Sequence, residues 1–286
     1  MGLNTGIEWT NHTLNPWNGC IKVGDNEECA ICYAADTDKR NLHQDGTHWG
    51  HGSSRLLIRG WVSILNRARK SAIASNQRET VFVMSMGDIF EVSKPLSKSE
   101  GFKWNNTGEV RDELFSMMPN YPELIFLLLT KRPELIMRTI PDSWLIDWPE
   151  NVWVGASIGL QKNLRRTRYL REAKSKGAKT FVSAEPLIGP VTFGSSLDGI
   201  DWVIVGGESE TGFSNGLARP MKPEWALSVK AECEAAGIPF FFKQWGEHDG
   251  NGVKVGKKNA GKTLDGEIIQ QLPPEFHKPI KELVNH

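Results

Sequence analysis

The stretch Asp201-Trp202-Val203-Ile204-Val205-Gly206-Gly207-Glu208-Ser209 is an apolar run that stops at a polar cluster. A continuous β-branched and aromatic run of this length predicts a strand buried on both faces, with the polar residues at its C-terminal end. The pattern recurs five times. Thr80-Val81-Phe82-Val83-Met84 runs into Ser85-Met86-Gly87-Asp88, Leu124 to Leu129 into Thr130-Lys131-Arg132-Pro133, and Val152-Trp153-Val154 into Gly155-Ala156-Ser157. Thr180-Phe181-Val182 meets Ser183-Ala184-Glu185-Pro186, and Pro239-Phe240-Phe241-Phe242 meets Lys243-Gln244-Trp245-Gly246. A seventh strand is expected near Ile7-Glu8-Trp9-Thr10. Helical spacing over Ile58 to Ser75, Leu160 to Lys176 and Pro223 to Ala236 supplies crossovers, with stops at Gly177 and Gly237. The fold class is therefore α/β with mainly parallel strands, either a barrel or a doubly wound open sheet.

Composition narrows the functional classes. Lys+Arg 34 against Asp+Glu 34 in 286 residues excludes a polycation or an acidic tail, and 39% hydrophobic content excludes a disordered chain. The longest apolar runs fall far short of the roughly 20 residues that cross a bilayer, so no membrane role and a cytoplasmic location are expected. The segment Lys94 to Asn120, polar before a short helix around Val110 to Met117, predicts an elaborated loop. Residues 1–246 are expected to form the main domain with an insertion near 94–120. Residues 247–286 form a loop with a short helix near Lys278 to Val284.

Three of the four cysteines crowd into C-x8-C-x2-C, Cys20, Cys29 and Cys32, with Gly24 in the wider gap. Zinc, with a fourth ligand from His43, His48 or His51, is one reading. A three-cysteine iron-sulfur cluster with one iron open is a second, and ordinary thiols a third. The histidines sit in a Gly-rich polar stretch that reads as a solvated loop, and Cys233 reads as a buried small hydrophobe on a helix.

Gly6-Ile7-Glu8-Trp9-Thr10, Asn15-Pro16-Trp17-Asn18-Gly19-Cys20 and Cys29-x-x-Cys32-Tyr33-Ala34 resemble a phage- and bacterium-associated family of radical S-adenosylmethionine (SAM) proteins of unknown function. Ser85 to Phe90, Leu129 to Pro133, Ser183 to Leu187, Asp201 to Ser209 and Phe242 to Gly246 extend the resemblance over about residues 6–246. The family is itself distantly similar to spore photoproduct lyase. The resemblance implies a partial (β/α) barrel of the radical-SAM type, a 4Fe-4S cluster on Cys20, Cys29 and Cys32, and S-adenosyl-L-methionine as second cofactor. The first cysteine gap is eight residues where most radical SAM enzymes have three, and Ile31 stands where an aromatic residue is common. Gly206-Gly207-Glu208 looks like the superfamily's methionine-binding motif but falls on a late strand, so that role is not carried to Glu208.

Within that resemblance Lys131 would meet the carboxylate of the cofactor, with Ser85, Ser157 and Tyr33 as further cofactor contacts. Asp88, Glu185 and Glu208 are the candidate catalytic carboxylates. An unpaired carboxylate after an apolar strand is costly, so ion pairs with Lys243 or Arg219 are the structural alternative for Glu185 and Glu208, as capping is for Asp88. Trp245 is the expected contact for a flat substrate. Partners would be a small molecule, nucleotide or DNA base and an external electron donor of the flavodoxin or ferredoxin type, in a host cytoplasm if phage-encoded. The rival function is a zinc-stabilised nucleic-acid-binding module, for which the basic stretch Arg165, Arg166, Arg168, Arg171, Lys174 and Lys176 would serve.

Overall fold

The protein is described by a computed structural model covering residues 2–23, 27–40, 47–210 and 217–280. Its strands are β1 (Gly2–Leu3), β2 (His12–Leu14), β3 (Trp17–Asn18), β4 (Arg55–Leu57), β5 (Glu79–Val83) and β6 (Leu96–Ser97), followed by five longer ones. These are β7 (Leu124–Thr130), β8 (Val152–Ser157), β9 (Lys179–Ala184), β10 (Trp202–Gly206) and β11 (Phe240–Gln244). Eight strands form one curled sheet in the order β1-β2-β5-β7-β8-β9-β10-β11, and β3-β4-β6 form a small second sheet. All pairings in the large sheet are parallel except β1 with β2. The architecture is a partial (β/α) barrel.

All six predicted parallel strands are present. The seventh is displaced: residues 7–10 form a turn, and the strand begins at His12. Thr10 Oγ1 donates to the carbonyls of His12 and Thr80 and accepts from the Phe82 amide, so this side chain occupies the place that a backbone ladder would have taken. The predicted crossover at 160–176 divides into a 3₁₀ helix, Gln161–Arg166, and an α-helix, Thr167–Lys174. The helices Trp61–Ser75 and Pro223–Ala236 match their predictions closely, and the insertion carries the helix Thr107–Met117. No helix among the described residues is long and apolar enough to cross a membrane.

Alternation along each strand separates two cores. Val81, Val83, Phe126, Leu128, Val203 and Val205 face outward, where Leu65, Ala72, Leu170, Val229 and Cys233 of the helices cover them. Phe82, Leu127 and Trp153 stand side by side on the inner face, as do Gly155, Phe181 and Trp202. A Cβ on Gly155 would come within 2.5 Å of the Phe181 ring, so glycine is what lets that ring lie across the barrel. Trp9 joins this inner cluster with its ring 4.6 Å from that of Phe82.

The C-terminal tail seals the structure. The Phe242 amide donates to Ile269 (2.7 Å) and the Gln271 amide to Phe240 (3.1 Å), covering the open edge of β11. Phe276, on the 3₁₀ turn Pro274–His277, then enters the inner core, 5.0 Å from the Trp153 ring and 5.3 Å from that of Trp202. The short helix expected over Lys278 to Val284 is not formed as far as Ile280. Its remainder lies outside the described residues, as do Gly24 and His43.

Candidate functional site

The aromatic inner core fills only the lower part of the barrel. Above it, at the C-terminal ends of the strands, a cavity of about 410 Å3 opens. Cys20, Cys29, Cys32, Tyr33, Ser85, Asp88, Lys131, Ser157, Glu185 and Glu208 all line it. The curl of the sheet produces this convergence, because successive parallel strands end on the same rim.

The cysteine segment is fixed at both ends. Gly19 has φ of 120°, and a Cβ there would lie 2.4 Å from the His48 carbonyl oxygen, so only glycine delivers Cys20 to this position. Cys20 Sγ accepts from Arg132 Nη1 at 3.7 Å, and the Arg132 guanidinium also donates to the Ile21 carbonyl and to Asp88 (3.0 Å). Burial, reinforced by Asp88, pushes the Cys20 thiol up to about 12, against the pull of Arg132. Glu91 accepts from the Ile21 amide (2.6 Å) and from both arms of the buried Arg55 (2.8 and 2.9 Å).

Further along the segment, Glu28 is 3% exposed and reaches across the barrel. It accepts from the Gly159 amide (2.6 Å) and from Arg166 Nη1 (2.5 Å), which also binds the Ser157 carbonyl (2.5 Å). Burial alone would raise this carboxyl, but Arg166 and Lys131 hold it below its ordinary value. Lys162 pairs with Glu27 (2.6 Å), and Arg219 donates to the Glu27 carbonyl (2.9 Å). Three cations from outside the segment thus anchor the turn Glu27–Cys29.

The three candidate carboxylates are all matched. Asp88 accepts from Thr130 Oγ1 (2.8 Å), the Phe90 and Lys131 amides and Arg132, which combines capping with an ion pair. Glu208 receives the Arg219 amide, Nε and Nη2 at 2.9, 2.8 and 2.5 Å. Glu185 pairs with Lys243 (2.8 Å) and accepts from Ser183 Oγ (3.2 Å). Gly207 permits the strand ends to close here, since a Cβ would lie 1.8 Å from the Trp245 carbonyl oxygen.

On the wall nearer the cysteines, Lys131 Nζ donates to Ser157 Oγ (3.3 Å), the Tyr33 hydroxyl to the Ser85 carbonyl (2.6 Å), and Asn15 Nδ2 to Ser85 Oγ (3.0 Å). Lys257 also lines the cavity, and burial together with Lys243 lowers its ammonium below the ordinary value.

Two sequence expectations are corrected. Trp245 is buried outside the cavity, its ring 5.0 Å from Phe242 and its Nε1 donating to the Thr263 carbonyl (2.8 Å). Trp9 and Trp49 are the indoles that line the cavity. His48 is not in a solvated loop: it is 1% exposed, and its amide and Nδ1 both bond Asp38 at 2.9 Å beneath the cysteine segment. His51 is exposed. Sequence reasoning missed Glu28 and the anchoring role of Arg166; the available signal was an acidic pair directly before Cys29 in a stretch of otherwise small or apolar residues.

The donor chemistry suits an iron-sulfur cluster. Three soft thiols line one cavity, the fourth cysteine, Cys233, is buried in the outer core, and no cysteine is in a disulfide. Among the described residues no three Cys, His, Asp or Glu side chains converge on one point as a single ion requires. In a cluster each thiolate takes its own iron, so the thiols need only face a common space.

A family profile described as "Protein of unknown function (DUF5131)" matches residues 4–273, and the chain belongs to that family. A comparison with curated proteins gives no match. Among solved structures, a spore photoproduct lyase mutant with bound AdoMet and dinucleoside spore photoproduct aligns at 10% identity with a TM-score of 0.42. The alignment covers 69% of this chain and 56% of that one.

Proposed function

We propose that this protein is a radical SAM enzyme, with a 4Fe-4S cluster held by Cys20, Cys29 and Cys32. The observation that carries the reading is the meeting of all three thiols with six strand ends' polar side chains in one cavity. When bound, the cluster and S-adenosyl-L-methionine supply a 5′-deoxyadenosyl radical that removes a hydrogen atom from the substrate.

The chain's own residues then divide by wall. Lys131 takes the carboxylate of the cofactor's methionine half, a charge-assisted bond that Ser157 orients. Ser85 and Tyr33 complete that wall with hydroxyl groups. Ile7, Trp9, Ile31, Phe82, Met84 and Leu129 keep water from the centre of the cavity, where a radical would otherwise be quenched. Asp88 and Glu208 act by positioning: the first sets Arg132 against Cys20, the second sets Arg219 against the cysteine turn. The Glu185–Lys243 pair, with Ser183, faces the substrate and can hold or transfer a proton between carboxylate and amine. An external electron donor of the flavodoxin or ferredoxin type reduces the cluster, and a nucleotide or DNA base is the proposed substrate class.

Anaerobic reconstitution with iron and sulfide tests the reading. A brown protein that holds about four irons and converts S-adenosylmethionine to 5′-deoxyadenosine with dithionite is expected. Cys20→Ala, Cys29→Ala and Cys32→Ala should each lose iron and turnover, and Cys233→Ala should keep both. A folded protein that binds one zinc and no iron would instead favour the zinc-stabilised nucleic-acid module.

A further inference from the structure

A second cavity, of about 330 Å3, adjoins the first and shares Val23 and Lys131 with it. Glu134, Arg165, Arg166, Arg168 and Tyr169 form the rest of its wall. Four cations against one carboxylate is a local departure for a chain whose net charge is zero. Glu28 matches Arg166 and Glu134 offsets one more, so two positive charges are left to meet a ligand.

The arrangement of these groups selects the ligand's chemistry. Arg168 lies with its guanidinium carbon 4.5 Å over the Tyr169 ring and donates to the Tyr169 hydroxyl. This stacking fixes the plane of the fork while leaving other N–H groups to face an anion. A fork held in this way suits an oxyanion that offers two oxygens at once, and a second exposed arginine, Arg165, suits one with more than two. A carboxylate would satisfy one of these groups, whereas a phosphate satisfies both. Lys131 stands on the shared wall, so a ligand seated here continues directly into the cavity that holds the thiols.

We infer that this cavity binds a phosphate group of the substrate, whose reacting portion occupies the first cavity; the inference rests on the enzymatic reading above. The phosphate can be the monoester of a nucleotide or a diester of a single strand.

Binding assays on the full chain without iron or cofactor test this, using inorganic phosphate, a nucleoside 5′-monophosphate and a fluorescent single-stranded oligonucleotide. Arg165→Ala/Arg168→Ala should weaken the bound probes about tenfold or more. For the oligonucleotide it should lower the salt slope of log K by about 1.4, at roughly 0.7 per phosphate lost. Arg165→Lys/Arg168→Lys, which keeps charge but not the fork, should fall between wild type and the alanine pair. Competition by phosphate and the mononucleotide identifies the monoester as the source, and oligonucleotide binding without such competition identifies the backbone. Equal affinity of wild type and alanine pair for every probe, or no binding of any probe by wild type, overturns the inference. Both arginines are exposed, so an unchanged melting temperature will show that the variant is folded. Because the assay needs no cluster, its failure is separable from a failure to cleave S-adenosylmethionine.

Discussion

Replacing Glu28 with glutamine tests the clamp that ties the cysteine turn to the opposite strands. Glu28 is 3% exposed and Arg166 7%, so the substitution leaves a buried guanidinium facing a neutral amide. Breaking a buried pair by removing one charge costs about 3–5 kcal/mol. Glutamine keeps an acceptor for the Gly159 amide, which places Glu28→Gln near the lower end and Glu28→Ala near the upper. At an m-value of about 3 kcal/mol per molar, a 3 kcal/mol loss moves the urea midpoint down by about 1 M. The effect also has a pH signature. The native carboxyl titrates below its ordinary 4.5, so its contribution is complete above that value and is lost as pH falls through the native value. The gap between wild type and Glu28→Gln should therefore be widest near neutrality and shrink below pH 4.5. A shift under about 0.3 M at pH 7, or a gap constant down to pH 3, would refute the reasoning.

Two other outcomes follow from the geometry. Lys131→Met should reduce retention of S-adenosylmethionine by the reconstituted protein tenfold or more in equilibrium dialysis, with iron content unchanged; equal retention would remove Lys131 from the cofactor wall. Phe276→Ala should cost about 3–5 kcal/mol in thermal or urea unfolding, because the ring is 5% exposed between two indoles; a loss below about 1 kcal/mol would mean that the tail does not support the inner core.

The parallel strands were legible because burial on both faces forces continuous apolar runs, and their polar ends were legible as departures from those runs. The site was legible for the same reason: Ser85, Lys131, Ser157, Glu185 and Glu208 follow strands that all open on one rim. What the sequence hid were the interactions that depend on closure. Glu28 meets Gly159 and Arg166 only once the sheet has curled, and more than a hundred residues separate them. Thr10 replaced a ladder bond with its hydroxyl, which no period-two pattern reveals. Trp245 reads as exposed because polar residues precede it, yet the turn at Gly246 folds it back against Phe242.

The position of Phe276 has a consequence for synthesis. A nascent chain that has released all six predicted strands still lacks the ring that stops the barrel floor, so Trp153 and Trp202 stay incompletely covered until translation has passed residue 276. During that interval the half-built protein presents sticky aromatic surface to its surroundings, and dependence on chaperones should be concentrated there. Shortening the tail would make that transient vulnerability permanent.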